Sequence, residues 1–246
     1  MRLRETLILA LALASANAAS ATTWHDGDMV TYTQYEWGDA PNNNPASTLL
    51  YTRYTDVYGS AGNVLEVGVP GPDGFSMMFS SGDAVLNYLP AGGSLGVLDG
   101  DLSNPGSDPS GEFGGVVTAL RLDIDYADAG FLSGTSPFRF GDLVIHDLAL
   151  YTPGTRGPFN PVFDGLTVRQ FEHLDEIVLG GDGPTTVDLA DYDILTLYLP
   201  FAFYGGYATQ MAQDHLNAPV PEPSTLLLLV SGVAVVAARR SRVRPT

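Results

Sequence analysis

The serine at position 94 lies in a segment that fits a catalytic pattern. GGSLG at 92–96 has the G-x-S-x-G spacing that holds the nucleophile of many hydrolases on a sharp turn between a strand and a helix. Here the sequence predicts a helix that ends at Leu89-Pro90 before the motif, and a loop rich in glycine and aspartate after it. The context favours an ordinary loop, and a secreted hydrolase is kept as an alternative function.

The loop that follows carries carboxylates at alternating positions. In DGDLSNPGSD, Asp99, Asp101 and Ser103 are spaced like the first ligands of a calcium-binding EF-hand loop. The rest of the loop departs from the EF-hand pattern, because Asn104 replaces the turn glycine and Ser110 replaces the bidentate glutamate. Calcium at Asp99 and Asp101 is therefore one hypothesis, and a solvated acidic surface is the other. The sequence predicts no other cofactor and no catalytic residue.

Composition excludes several other kinds of site. The chain of 246 residues contains no cysteine, so disulfides and thiolate metal sites are ruled out. None of the four histidines has zinc-binding spacing: His25, His146, His173 and His215. The formal net charge is −17, and residues 22–219 alone hold five arginines against 26 acidic residues. Such a surface repels nucleic acid and anionic lipid, so neither is an expected partner.

The elements that would position these residues are mostly helical. Residues 49–58 have apolar side chains at helical spacing before Gly59, and residues 165–181 combine a Thr167–Gln170 capping box with an apolar face. Shorter signals predict three further helix beginnings: Ser80 with Asp83, Asp108 with Pro109, and Asp188 in a first turn. Helix should therefore exceed strand in the domain.

Strand signals are fewer. NVLEVGV and FSMMFSS predict a hairpin around the turn PGPDG, and FGDLVIHDLALY predicts another strand. Residues 112–130 alternate like a strand but also keep a helical apolar stripe. Helix is favoured there, because Arg121 and Asp125 would then pair one turn apart. We therefore predict one α+β domain over residues 22–219, rich in helix and with a short β-hairpin.

Residues 1–21 predict an export signal. Two arginines precede an apolar stretch at 7–14, and small residues follow it. An apolar stretch of this length before an A-x-A site is typical of a cleaved signal peptide. We predict cleavage after Ala21, in the site formed by Ala19 and Ala21, with cleavage after Ala18 as the alternative. Signal peptidase is then an expected partner.

The carboxyl terminus, residues 220–246, has three parts. VPEP is extended because prolines exclude helix, and it consists of Val220, Pro221, Glu222 and Pro223. The uncharged run at 226–238 would be a single transmembrane helix of about 20 Å, which only just spans a hydrocarbon core of about 30 Å. The basic cluster that follows consists of Arg239, Arg240, Arg242 and Arg244. By the positive-inside rule it stays in the cytoplasm.

This order of proline motif, thin span and arginines resembles the PEP-CTERM sorting signal of Gram-negative bacteria. In that family the signal is recognised by exosortase, a membrane-embedded processing enzyme, and its bearers are linked to extracellular polysaccharide and biofilm. The resemblance implies a chain that is held transiently in the inner membrane and cleaved by exosortase near the motif. It also implies a final place at the cell surface or in the extracellular matrix, with polysaccharide as a partner.

Soft motifs in the middle of the chain also resemble a loose set of uncharacterised bacterial surface proteins. The motifs are TYTQYEWG, GGVVTALRLDIDYADAG, FGDLVI and GLTVRQF, in that order. The set has no established catalytic residues. The resemblance therefore implies an intact domain and a surface location, and nothing about an activity.

Two functions without catalysis follow from these observations. The first is a non-enzymatic exported surface or matrix protein, because two targeting signals flank a domain that lacks a coherent catalytic motif. The second is a module that binds polysaccharide or a partner surface protein through aromatic residues of probable loops, such as Trp24, Tyr32, Tyr35 and Trp37. Core packing would use the same aromatic residues, so their exposure decides between binding and packing.

Overall fold

A computed structural model describes residues 22–219, apart from positions 42, 60, 61, 63, 151–157, 182, 184 and 185. Contacts in this part gather into one unit, Thr22–Ala218. Its α-helices are α1 Gln34–Trp37, α2 Pro45–Tyr58, α3 Gly82–Tyr88, α4 Glu112–Asp128, α5 Val168–Leu179, α6 Leu189–Tyr198 and α7 Gln210–His215. Its strands are β1 Leu65–Gly68, β2 Ser76–Phe79, β3 Leu102–Ser103, β4 Val144–Ile145 and β5 Leu216–Asn217. The predicted α+β class, with more helix than strand, is confirmed for this unit.

Helix α4 lies at the centre of the unit and confirms helix over strand for this segment. Thirteen of its 17 residues are buried, because α1, α5 and α6 pack around it. Gly115 lets α1 approach closely, since a Cβ there would collide with the Gln34 side-chain oxygen. A helix buried on nearly every side has apolar residues on all its faces. This explains why the sequence showed a helical and an alternating pattern at once.

Two small sheets accompany the helices. The predicted hairpin is confirmed: β1 and β2 pair antiparallel, with Leu65 opposite Phe79, and β3 adds to β2 in parallel. Strands β4 and β5 pair antiparallel, with Ile145 opposite Leu216. The second sheet therefore ties the last residues of the unit to its middle.

The strand predicted over residues 140–151 is mostly wrong. Among the described residues 140–150, only Val144–Ile145 forms a strand, and 3-10 turns lie on either side at Phe140–Asp142 and Leu148–Leu150. Asp147 has a φ of 54°, a left-handed conformation that a continuing strand cannot contain. The bend ends β4 after two residues.

The predicted capping box of α5 is confirmed. The Thr167 hydroxyl accepts a hydrogen bond from the Gln170 backbone N–H at 3.1 Å, and the Gln170 side chain accepts one from the Thr167 N–H at 2.9 Å. The apolar face of the helix buries Val168 and Phe171, and Gly180 is its C-cap. Asp188, predicted in the first turn of the next helix, is the N-cap of α6.

Two predicted helix beginnings are wrong. Helix α3 is capped by Ser81, and Ser80 instead bonds to the side chain of Asn104. Helix α4 begins at Glu112, four residues beyond Asp108. The Asp108 carboxylate accepts a hydrogen bond from the Ser110 N–H at 2.6 Å, so it closes a local turn. At Asp108 a hydrogen bond from two residues away competes with the predicted cap, and at Ser80 the competing partner is Asn104, 24 residues further along the chain.

Candidate functional site

Ser94 is exposed in a loop, as the sequence favoured. Within the described ranges, no side-chain hydrogen bond joins Ser94 to a histidine or a carboxylate. A serine nucleophile needs a base within hydrogen-bond reach and a third group that orients this base. The serine motif therefore gives the hydrolase alternative no support in this structure.

Asp101 has a structural role in the acidic loop. Its carboxylate accepts a hydrogen bond from the Ser76 N–H at 3.0 Å, at the beginning of β2, whereas Asp99 is exposed. In the described part of the chain, no group of three or more His, Cys, Asp or Glu side chains is arranged to hold a metal ion. Calcium at Asp99 and Asp101 stays a prediction; binding would raise the melting temperature in millimolar calcium relative to a chelator.

The aromatic residues singled out in the sequence divide into two groups. Trp24, Tyr32 and Trp37 are buried in the core, whereas Tyr35 is 60% exposed. The Trp37 indole N–H donates to Asp123 at 3.1 Å, so this side chain has a packing role. Core packing therefore accounts for three of the four, and only Tyr35 is available at the surface.

Exposed aromatic rings that the sequence analysis did not assign are found near Tyr35. Phe201 is 39% exposed, Tyr204 36% and Tyr207 67%, and the rings of Phe201 and Tyr204 lie 5.6 Å apart. The Tyr204 hydroxyl donates to Glu36, the neighbour of Tyr35 in α1. This bond, with some burial, raises the pKa of Tyr204 to about 12, so the hydroxyl stays protonated. We call Phe201, Tyr204 and Tyr207 the aromatic patch.

A second group of polar residues surrounds Arg121 in α4. Its Nε lies 2.8 Å from Asp125, which confirms the predicted pair one turn apart. Its Nη1 lies 2.6 Å from a Glu176 oxygen and 3.6 Å from a Glu172 oxygen. Glu172 and Glu176 are one turn apart on α5 and so share a face. We call Arg121, Asp125, Glu172 and Glu176 the arginine cluster.

Acids outnumber the arginine in this cluster, and burial changes their protonation. Burial and repulsion by Glu176 raise the pKa of Glu172 to about 8, although Arg121 opposes the shift. The Arg121 contact at 3.6 Å is too long for a hydrogen bond, so burial prevails. Burial also raises the pKa of Glu176 and, more strongly, that of Asp175, whose one oxygen accepts from the Thr196 hydroxyl at 2.7 Å. In the sequence, only the spacing of these acids on the predicted helix indicated that they lie close together.

An open cleft of about 530 Å3 lies beside the arginine cluster. Its polar lining includes Arg121, Asp125, Glu66, Asp128 and the Tyr58 ring. The two buried glutamates of the cluster are not among the described lining residues. A molecule in the cleft would therefore meet Arg121, which is already paired with Asp125, rather than the buried glutamates of the cluster.

The two ends of the unit are joined by side-chain hydrogen bonds. The Thr22 N–H donates to the Asn217 side chain at 3.0 Å, and the Ala218 N–H donates to the Thr22 hydroxyl at 2.9 Å. The Gln213 amide accepts from the Trp24 N–H at 3.1 Å and donates to the Trp24 carbonyl at 2.7 Å. The Trp24 indole N–H donates to the Leu216 carbonyl at 2.7 Å. We call residues 22–24 and 213–218 the terminal clasp.

The other predicted site residues lie outside the described residues: Ala19, Ala21, Val220, Pro221, Glu222, Pro223, Arg239, Arg240, Arg242 and Arg244. The predicted signal peptide and the predicted span at 226–238 lie there too. Among the helices of residues 22–219, as far as they are described, none has the length and apolar character to cross a membrane.

Comparison with known proteins identifies the carboxyl terminus. Residues 219–242 match the PEP-CTERM protein-sorting motif. The match confirms the predicted sorting signal. The motif indicates a protein that is exported, targeted to exosortase and transiently associated with the membrane. No curated protein and no solved structure matches the chain. The resemblance of the middle region to bacterial surface proteins therefore stays a prediction.

Proposed function

We propose that this chain is an exported cell-surface or extracellular-matrix protein that acts without catalysis and loses its sorting signal to exosortase. One observation carries the proposal. The sorting motif begins at residue 219, directly after the folded unit Thr22–Ala218. A signal appended to the end of a folded unit can be removed without loss of any buried residue. The folded unit would then be the functional part of the protein, and the signal would only direct its sorting.

Two features support a role without catalysis. Ser94 has no base bonded to it in the described structure, and the acids that line the cleft beside Arg121 are ion-paired or, at Glu66, hydrogen-bonded to Ser76. The arginine cluster and the Asp123 side chain bond to neighbouring elements and so stabilise packing. Each polar centre thus has a structural role that needs no substrate.

The charge of the folded unit restricts the kinds of polysaccharide with which it can associate. Residues 22–219 hold five arginines against 26 acidic residues, so the surface repels other polyanions. We therefore propose neutral or cationic extracellular polysaccharide as its neighbour in a biofilm matrix. An acidic polymer would need bridging cations.

Replacement of the proline motif in the native host tests the sorting proposal. With Pro221, Glu222 and Pro223 changed to alanine, the protein should stay uncleaved and remain in the inner-membrane fraction. Pro245→Ala with Thr246→Ala, beyond the matched residues 219–242, is the control and should be processed normally. Normal processing of the triple variant would show that the motif is not the signal.

The aromatic patch favours a second candidate function, a module that binds polysaccharide. Aromatic ring faces offer apolar area on which the carbon face of a sugar can pack, while hydroxyl and carboxylate groups beside them accept or donate hydrogen bonds. Phe201 and Tyr204 lie 5.6 Å apart, and Glu36 holds the Tyr204 hydroxyl. The patch therefore combines rings and polar groups on one exposed part of the unit.

A pull-down on insoluble neutral polysaccharide tests whether the protein binds polysaccharide or is only located at the same surface. We expect Phe201→Ala with Tyr207→Ala to reduce retention about tenfold or more, since aromatic contacts supply most of the contact area. Tyr51→Ala removes an exposed ring elsewhere, on α2, and should leave retention unchanged. Equal retention of all three proteins would remove the patch from consideration.

A further inference from the structure

The amide of Gln213 binds the backbone of Trp24 as a neighbouring strand would. It accepts from the Trp24 N–H and donates to the Trp24 carbonyl, at 3.1 and 2.7 Å. The Leu216 carbonyl accepts from the Trp24 indole, so one residue near the beginning of the unit is fixed at three points by its end. The packing of the last residues therefore depends on the first ones.

The end of the unit is buried as well as hydrogen-bonded. Met211, Ala212, His215 and Leu216 are buried, and β5 pairs with β4. Proteases bind a substrate as an extended chain, usually by adding it as a strand to their own structure. Peptide bonds in this segment cannot be bound in that way unless the segment first detaches from the unit.

No spacer separates this segment from the sorting motif. Ala218 is hydrogen-bonded to Thr22, and the matched motif begins at the next residue. A protease that removes residues from the carboxyl terminus therefore meets the clasp as soon as it has removed the motif. The hydrogen-bonded segment of the clasp therefore reaches as far as Ala218.

We propose that the terminal clasp sets the limit of carboxyl-terminal processing, so that cleavage falls after Ala218 and the mature chain keeps the whole clasp. Where this cleavage is made by exosortase, the inference rests on the proposed function. Hydrolysis breaks one peptide bond, and water supplies the hydroxyl of the new carboxyl group and the proton of the new amine. Cleavage before Asn217 would remove part of β5 and the acceptor of the Thr22 N–H, and cleavage after Asn217 would remove the Ala218 N–H that donates to the Thr22 hydroxyl.

Limited proteolysis of the purified full chain in detergent tests the clasp with a nonspecific protease, independently of exosortase. In the wild type, mass spectrometry should show trimming from the carboxyl terminus that halts at or after Ala218. Gln213→Ala removes both amide bonds to Trp24 and should speed cleavage within residues 210–218 about tenfold. Gln210→Ala is the matched control, because its amide bonds only to the exposed side chain of Asp214 in the structure described. This variant should behave as the wild type.

Four outcomes separate the inference from the sorting proposal. Wild-type cleavage within residues 210–218 as fast as beyond them would overturn the clasp as a limit, and so would equal rates for the two glutamine variants. In the native host, a mature chain that ends before Ala218 would overturn it as well. A host chain that keeps Arg239 would instead contradict removal of the sorting signal, and the proteolysis in detergent would still decide whether the clasp protects its own segment.

Discussion

Two buried polar centres lie within one turn of each other on helix α4, and they are built differently. Asp123 accepts hydrogen bonds from the Tyr32 backbone at 3.0 Å and from the Trp37 indole at 3.1 Å. Two residues earlier on the helix, Arg121 meets three carboxylates in the arginine cluster. The Asp123 carboxylate accepts hydrogen bonds from two donors, whereas in the arginine cluster three carboxylates share one guanidinium.

The two centres differ in how the charge of their acids is offset. Asp123 fixes the segment before α1 to the central helix, and both of its donors would be orphaned without it. The cluster has more acid than cation, so part of its charge is removed by protonation instead of pairing. Burial also raises the pKa of Asp123 well above its ordinary value, so both centres should make stability depend on pH.

Loss of the arginine should have the largest effect. Arg121→Met leaves Asp125, Glu172 and Glu176 without their cation and should lower the free energy of unfolding at neutral pH by about 3–5 kcal/mol. Arg53→Met breaks an exposed pair with Asp56 and should cost less than about 1 kcal/mol. Urea unfolding measures both. Similar costs for the two variants would mean that the cluster is no more than a surface ion pair.

Loss of Asp123 should come next. Asp123→Ala leaves two buried donors without an acceptor and should lower the free energy of unfolding by about 2–4 kcal/mol. Asp123→Asn keeps one oxygen that can accept from both donors and should lose clearly less. The comparison fails if alanine and asparagine are equally destabilising, because the carboxylate would then be needed for its charge.

The cluster should also make the unit less stable in alkali. Glu172 has an ordinary pKa of 4.5, which burial and Glu176 raise to about 8 in the folded state. The folded unit thus holds a proton that the unfolded chain has lost. This contribution to stability is complete below about pH 4.5 and is lost as pH rises through about 8.

Thermal unfolding across this pH range tests the linkage. The wild type should melt at a lower temperature at about pH 9 than at about pH 6, and Glu172→Gln should flatten the difference because the amide cannot ionise. Glu112→Gln, in the first turn of α4, serves as the control and should keep the wild-type slope. An unchanged slope in Glu172→Gln would place the pH dependence elsewhere.

The cap of α5 should give the smallest effect. Thr167→Ala removes the acceptor of the Gln170 N–H and should cost about 1 kcal/mol. Asp188→Ala removes an N-cap whose side chain makes no cap hydrogen bond, and it should cost less. If the aspartate variant were the more damaging, hydrogen bonding at the cap would not explain the stability of α5.

These two centres also show how far sequence reasoning reaches. Arg121 and Asp125 are four residues apart, so helical periodicity alone predicts their pairing. The partners of Asp123 are 86 and 91 residues away, and the clasp joins Thr22 to Ala218 across 196 residues. Contacts of this kind depend on how elements pack, which a local pattern does not record.

The errors have a physical cause of the same kind. Asp108 closes a turn with Ser110 because that bond is available two residues away, before any helix has formed. The loop aspartate Asp101 bonds to β2, a partner that spacing could not reveal. By contrast the sorting signal is linear, since its motif, apolar run and arginines follow one another along the chain, so the sequence sufficed to predict it.

The mass of the mature protein from its native host tests the central claim most directly. The account predicts a carboxyl terminus after Ala218 and before the apolar run at 226–238, so that Arg239 and Arg240 are missing. A mature chain that still carries Arg239 and Arg240 would show that the segment is a permanent membrane anchor, and the interpretation as a removable sorting signal would be wrong.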